Sequence, residues 1–388
     1  MTKKPASFSL ATVLLALALV VFALPAHADV FATSAPRALL IDLETRTVLF
    51  EKDADARMPP ASMSKLMTSA VIFEAIRAGK LSLDQEFVVS KRAWKEGGAN
   101  SGGSTMFAKL GSSIKVADLI KGVIIQSGND ACIVMAEGMA GSETAFAALM
   151  NAEAARIGLA NSHFANATGL DDPAEYTTTR DLARLAQYII ETFPEFYKIY
   201  GETEFTWNKI KQPNRNPLLD MKIGADGLKT GYTEAAGYGL VGSAVQNGRR
   251  LILVVAGTGS AKERSDESRK LMEWGFNTFE KIDLFASGAV VGEARVFGGV
   301  AGHVDLVGKG PIGVLVPRGG RAALKAEVIY RGPVPAPIAA GQLIGLVRIS
   351  GADGVTKVQP LYAASDVASG PMPGRAFDAL SELLLGWW

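Results

Sequence analysis

A chain of 388 residues with 40 Lys and Arg against 39 Asp and Glu carries a formal charge of +1, so it lacks the basic excess a nucleic-acid partner requires. One cysteine, Cys132, excludes an intramolecular disulfide, and three histidines, His27, His163 and His303, leave no H-E-x-x-H zinc helix and little material for a Ser-His-Asp triad. The length allows two or more hydrophobic cores.

Lys3 and Lys4, an apolar run from about Ser9 to Leu24 and the triplet Ala26-His27-Ala28 have the layout of a cleaved secretory signal peptide over residues 1–28. The alternative is a retained anchor, although the run is short for a span. Cleavage leaves 360 residues and, without the two lysines, 38 basic against 39 acidic side chains.

The stretch "RALLIDLETRTVLFEKD" reads as a hairpin turning at Glu44 and Thr45. Pro59 and Pro60 then bar helix, and an apolar helix follows until Gly79. Ser62 and Lys65, spaced i and i+3 at its head, share one face with Cβ atoms about 5–6 Å apart. A serine hydroxyl needs a base, and lysine serves only when neutral, a state favoured by burial, neighbouring positive charge and the positive end of the helix. The same N-terminal amides face any oxyanion formed on Ser62. Ser112 and Lys115 match S-x-x-K equally, in a segment that reads as a loop, so the spacing does not decide alone; the helix behind Ser62 favours the first pair.

Residues 116–141 read as two helices interrupted by "QSGND", and placing Ser127, Gly128 and Asn129 inside an apolar stretch is costly unless they face a site; the alternative is an interhelical turn. "TTTRDLARLAQYIIETFP" is an amphipathic helix ending near Pro194. Lys229, Thr230 and Gly231 precede a strand pair, where the glycine would let a substrate backbone approach an edge strand; the alternative is a surface loop. "GYGLVGSAVQNGRRLILVVAGTG" is a hairpin turning at Asn247 and Gly248. "ESRKLMEWGFNTFEKI" reads as a helix closing this region near residue 282. Residues 29–283 are therefore expected to form an antiparallel sheet flanked by helices.

Residues 284–368 alternate in short stretches between Gly and Pro turns, the pattern of a small all-β sandwich. Over residues 371–388, Phe377, Leu380, Leu383, Leu384 and Trp387 share one helical face. That helix either docks on the protein's own surface or lies in a membrane plane with its tryptophans at the interface.

S-x-x-K, S-x-N and K-T-G occur in this order, about 65 and 100 residues apart. With "PPASMSKLMT", "QSGNDAC", "GLKTGYTEAAGY" and the terminal helix, the chain from about residue 32 resembles a D-alanyl-D-alanine carboxypeptidase, a low-molecular-mass penicillin-binding protein. The resemblance implies an α+β fold, a β-lactamase/transpeptidase-like domain followed by the β-sandwich and the amphipathic helix. It implies that Ser62 attacks the penultimate D-alanine carbonyl of a peptidoglycan stem pentapeptide and Lys65 takes its proton. Ser127 and Lys229 would pass a proton to the leaving amine, Asn129 would hold the substrate amide, and the Ser62 and Tyr232 backbone N–H groups would form the oxyanion hole. Thr230, Lys229 and Arg264 would bind the terminal carboxylate, a solvated surface arginine being the alternative at Arg264. It further implies acylation by β-lactams, contact with the inner-membrane surface from the periplasmic side, no nucleic acid, and no metal or organic cofactor. Where some members place histidine before Gly169 this chain has Thr168, so that loop supplies no side-chain proton carrier; His163 is then structural and Cys132 a buried small hydrophobe.

Three rivals share these motifs. A class A β-lactamase requires an E-x-x-L-N pattern, and the chain has no Leu-Asn pair. A DD-endopeptidase uses the same centre, but the β domain and tail count against it. A non-catalytic envelope scaffold fits poorly with three complete motifs.

Overall fold

The computed structural model describes residues 31–351 and 354–372. The leader over residues 1–28 and all but the first two residues of the terminal helix, 371–388, lie outside them.

Strands β1 (Arg37–Asp42) and β2 (Val48–Lys52) form the expected hairpin. Asp42 closes its turn by accepting from Thr45 N and Thr45 Oγ1, both at 2.8 Å. A single 3₁₀ turn, Ala61–Ser64, follows Pro60, and α1 (Lys65–Arg77) begins only then, so Ser62 lies ahead of the α-helix rather than in its first turn. A small hairpin of β3 (Glu86–Val88) and β4 (Ser113–Lys115) leads to α2 (Val116–Lys121). A wide turn, Gly122–Gln126, separates α2 from α3 (Asn129–Ala140), which is where the polar interruption was read. Next come α4 (Glu143–Arg156), α5 (Thr179–Thr192), the one-turn α6 (Pro194–Tyr197) and the hairpin β5 (Glu204–Trp207) with β6 (Ile210–Pro213). In α5, Thr178 Oγ1 caps the Asp181 amide at 3.0 Å, and Leu182, Leu185, Ala186 and Ile189 recur at helical spacing, all fully buried.

β7 (Ala225–Thr233), β8 (Gly237–Gln246) and β9 (Arg249–Thr258) complete a five-stranded antiparallel sheet in the order β2-β1-β9-β8-β7. Asn247 and Gly248 turn β8 into β9 at φ 50° and 77°, the left-handed pair a two-residue hairpin needs. β9 is central, and its apolar run is continuous because both faces are covered. Ile252 and Val254 point into the main core, while Leu251 on the other face meets α7 (Ala261–Thr278) at Gly275, where a Cβ would stand 2.8 Å from Leu251 Cδ1. The sheet thus has helices on both sides, and β7, carrying Lys229, Thr230 and Gly231, is an edge strand.

The helix read as far as residue 282 is shorter. It ends at Thr278, and β10 (Phe279–Phe285) is a strand whose Ile282 joins a second core. Local sequence does not end it; distant arginines do, by taking carbonyls that a helix end leaves unpaired. Arg318 Nε donates to Asn277 O at 2.6 Å and Arg249 Nη2 donates to Gly275 O, while Arg249 Nη1 holds the first β10 carbonyl, Phe279 O, at 2.6 Å.

β10 pairs with β13 (Ile312–Pro317). The other strands are β11 (Val290–Phe297), β12 (His303–Val307), β14 (Lys325–Tyr330), β15 (Val334–Pro335), β16 (Leu343–Gly351) and β17 (Gly354–Ala363). They form a six-stranded sheet in the order β14-β16-β17-β12-β11-β15. Ile282 and Val314 from the pair, and Ala294, Leu306, Val347 and Leu361 from the larger sheet, share one buried core.

Candidate active site

The 3₁₀ turn that presents Ser62 is entered through Ala61, a buried residue at φ 48°, a conformation that a non-glycine holds only where surrounding packing enforces it. Behind it Lys65 is 1% exposed, and its Nζ lies 2.9 Å from Ser62 Oγ, 2.9 Å from Asn129 Oδ1 and in contact with the Thr168 carbonyl. An ammonium donates three times, whereas a neutral amine donates twice and keeps one lone pair. With two N–H groups given to Asn129 Oδ1 and Thr168 O, a neutral Lys65 turns its lone pair to Ser62 Oγ, the arrangement of a base before a nucleophile. Burial pushes the Lys65 amine below the usual lysine range, and Arg215 adds to that. Of its acidic neighbours, Asp130 is held by Thr105 Oγ1 at 2.6 Å and by the amides of Met106, Ala108 and Ala131, and Cys132 is a neutral thiol pushed up to about 12 by burial.

Ser127 ends the wide turn after α2 in the left-handed conformation, φ 64°, so that the chain reverses and Asn129 opens α3 beside it. The Asn129 amide is tied to Ser104 O at 2.7 Å. Ser127 Oγ accepts from Lys229 Nζ at 2.9 Å, and both side chains are buried. Lys229 also donates to Thr230 O at 3.0 Å; burial, with Lys65 and Arg215 as neighbouring cations, holds its amine well below the ordinary lysine range. Two lysines, each bonded to a serine hydroxyl, thus face one another across the site.

Gly231 has a second purpose beside the one its sequence context suggests. A Cβ there would lie 3.1 Å from Pro60 O and from Met63 Cγ, so the missing side chain also admits the Ser62 turn against β7.

Ser62, Ser127, Asn129, Thr230, Gly231, Tyr232 and Arg264 all line one cleft of about 770 Å³. Arg264, near the start of α7, stands over the Tyr238 ring at 5.7 Å, and its buried Nε has no hydrogen-bond partner. It is not a solvated surface arginine; burial lowers its pKa. Arg215 lines the same cleft and is likewise lowered by burial. A partly desolvated guanidinium without a counter-ion is a ready receptor for a carboxylate. Sequence reasoning missed Arg215, whose only local signal is a lone arginine between Pro213 and Pro217, and missed the Thr168 carbonyl, which no side-chain motif can announce.

The competing S-x-x-K pair lies elsewhere: Lys115 pairs with Asp84 at 2.9 Å and Ser112 Oγ donates to Lys109 O, all on exposed surface. His163 meets Ala174 O through Nδ1 and stacks on Tyr176, and His303 is exposed on β12. Thr168 Oγ1 bonds Asn166 Oδ1 at 2.7 Å, so the loop offers the site a backbone carbonyl. Among the described residues no cluster of His, Cys, Asp and Glu is placed to hold a metal ion.

The family described as D-alanyl-D-alanine carboxypeptidase matches residues 24–260, and the C-terminal domain of penicillin-binding protein 5 matches residues 279–369. The chain is 42% identical over 354 residues to D-alanyl-D-alanine carboxypeptidase DacC of Escherichia coli, covering 90% of this chain and 88% of that one. Among solved structures it is similar to penicillin-binding protein 5 from Haemophilus influenzae, with a TM-score of 0.80, 38% identity and coverage of 88% and 99%. It is also similar to penicillin-binding protein D2 from Listeria monocytogenes in its ampicillin-bound form, with a TM-score of 0.56, 33% identity and coverage of 64% and 99%.

Proposed function

The chain belongs to the D-alanyl-D-alanine carboxypeptidase family, and from that premise we propose that it removes the terminal D-alanine of peptidoglycan stem pentapeptides through an acyl-enzyme on Ser62. Neutral Lys65 takes the Ser62 proton as Oγ bonds to the penultimate D-alanine carbonyl carbon. The oxyanion rests on the backbone N–H groups of Ser62 and Tyr232. Its collapse breaks the peptide C–N bond, and the proton that Lys65 took passes to the departing amine by way of Ser127 and Lys229. Asn129 holds the substrate amide, while Thr230, Lys229, Arg264 and Arg215 receive the terminal carboxylate. Water then attacks the ester carbonyl carbon as Lys65 takes its proton, the acyl C–O bond breaks, and Lys65 returns that proton to Ser62 Oγ. A β-lactam enters by the same attack, its amide nitrogen staying tethered to the acyl group.

The observation that carries this reading is the Lys65 amine, buried at 1% exposure, 2.9 Å from Ser62 Oγ, with carbonyl oxygens taking its other two positions. Incubation with a stem pentapeptide and with labelled penicillin, beside Ser62→Ala, tests it. D-alanine release and a stable penicillin adduct, both lost in the variant, support it; neither in the native protein sinks it, and rapid penicillin hydrolysis makes the protein a lactamase.

The same reading extends to location. Residues 1–28 direct export and are removed, residues 371–388 lie in the plane of the inner membrane on its periplasmic side, and the β sheets hold the catalytic domain away from that membrane. No helix among the described residues is long and apolar enough to cross a membrane.

A further inference from the structure

Beneath the nucleophile's turn, outside the cleft lining, lies a carboxylate that the proposed chemistry does not use. Glu175 is 5% exposed and belongs to the segment between α4 and α5, which is pinned by the bridges Met58 to Thr177 and His163 to Tyr176. Its Oε1 accepts from Ser64 Oγ at 2.7 Å and its Oε2 from Asn166 Nδ2 at 3.1 Å. Ser64 is the last residue of the turn that carries Ser62. Asn166 Oδ1 accepts from Thr168 N at 3.0 Å and Gly169 N at 2.8 Å, and so shapes the loop whose Thr168 carbonyl holds Lys65. Gly169, at φ 75°, seats that loop on the turn so closely that a Cβ would fall 2.0 Å from Ala61 O. Glu175 is therefore bonded both to the serine turn and to the loop that grips the lysine.

Resting on Lys65 as the base, we propose that Glu175 is a positioning residue: it clamps the Ser64 turn to the Asn166 loop around Lys65, and its charge opposes loss of the Lys65 proton. The charged and titratable groups facing Lys65 are Asp130 and Cys132 from α3, Arg215 from the loop after β6, Lys229 from β7 and Glu175 itself; Lys65 and Asp172 face Glu175. Cys132 is neutral, Arg215 and Lys229 repel the proton, and Glu175 and, more weakly, Asp130 are the anions that retain it. Burial pushes the Glu175 carboxyl up to about 7, against the opposing pull of Ser64, Lys65 and Asn166, so the charge on Glu175 and the proton on Lys65 are coupled. An ionised Glu175 favours the Lys65 ammonium; removing that charge lets the amine become neutral at lower pH.

The test is the pH profile of Ser62-dependent acylation by labelled penicillin in the native chain, Glu175→Gln, Glu175→Ala and Ser64→Ala. The midpoint of the acid limb is expected to fall by about one pH unit in both Glu175 variants. The plateau rate stays within about threefold for Gln, which keeps the size and an acceptor, and drops about tenfold or more for Ala, which loosens the clamp. Ser64→Ala removes a bond that holds the charge, so its midpoint falls too, and it decides the matter should the Glu175 variants fail to fold. Midpoints coinciding with the native one, while native acylation depends on Ser62, overturn the role of Glu175 alone. No Ser62-dependent acylation in the native chain overturns the base assignment as well.

Discussion

Lys229 Nζ and Ser127 Oγ lie 2.9 Å apart, at 3% and 2% exposure, on opposite walls of the cleft. Among the described residues the hydroxyl is the only side-chain oxygen bonded to that amine, and the left-handed backbone at Ser127 aims it there. If this pair hands the proton to the leaving amine, Ser127→Ala lowers the rate of D-alanine release about 100-fold or more while the melting temperature stays within a few degrees. A rate within threefold of native rejects the relay.

Gly169 is at φ 75° with no space for a Cβ, so Gly169→Ala must displace either the Ala61 carbonyl or the loop that holds Lys65. Thermal or denaturant unfolding is expected to show a loss of about 2–4 kcal/mol. Penicillin acylation in the surviving folded fraction falls as well, because the Thr168 carbonyl moves away from the amine. A variant as stable as the native chain would show that the loop yields freely.

Arg264→Ala and Arg215→Ala each remove a cation from the cleft. A charge-assisted bond to a carboxylate contributes about 1.5–3 kcal/mol, so kcat/KM for a peptide ending in free D-alanine drops about 10- to 100-fold in each. The same peptide with an amidated terminus is turned over poorly, and equally so, by all three proteins. Loss of activity toward both substrates alike points to misfolding instead.

The Cys132 thiol, pushed up to about 12 by burial, stays protonated where an unfolded thiol near 8.5 has ionised. The unfolded chain then binds fewer protons than the folded one, so this residue's contribution to stability is lost as pH rises above about 8.5. A thiol reagent at mildly alkaline pH should label almost nothing in the native protein and one site per chain in denaturant. Rapid native labelling would place Cys132 at the surface.

Deleting residues 371–388 is expected to move the protein from the membrane fraction to the soluble fraction with peptidase activity retained, as read by fractionation and D-alanine release. Unchanged membrane association means the anchor lies elsewhere.

Residues that act through their own side chains at short range were legible in the sequence. Ser62 with Lys65, the break at Ser127 to Asn129 and the Asn247-Gly248 turn each have a local signature of spacing, polarity or φ, and the structure brings S-x-x-K, S-x-N and K-T-G to one cleft. What stayed hidden depends on partners far along the chain. The end of α7 is set by Arg249 and Arg318 on its carbonyls, so helical periodicity overran it by four residues, from Thr278 to residue 282. The second purpose of Gly231 is one of these, because the turn that fills its flank lies about 170 residues earlier. Arg215, the Thr168 carbonyl and Glu175 carry no motif, since a loop arginine, a backbone oxygen and a buried acid acquire meaning only from what surrounds them.

α7 carries Arg264 near its first turn and passes without a linker into β10, so the carboxylate receptor and the β sheets are the two ends of one rod of 18 residues, about 27 Å long. Arg318 from the β sheets and Arg249 from the catalytic sheet both grip its far end, which stiffens the joint against bending. The distance from the cleft to the β sheets becomes a fixed length rather than a flexible tether, a spacer whose reach is set by one helix.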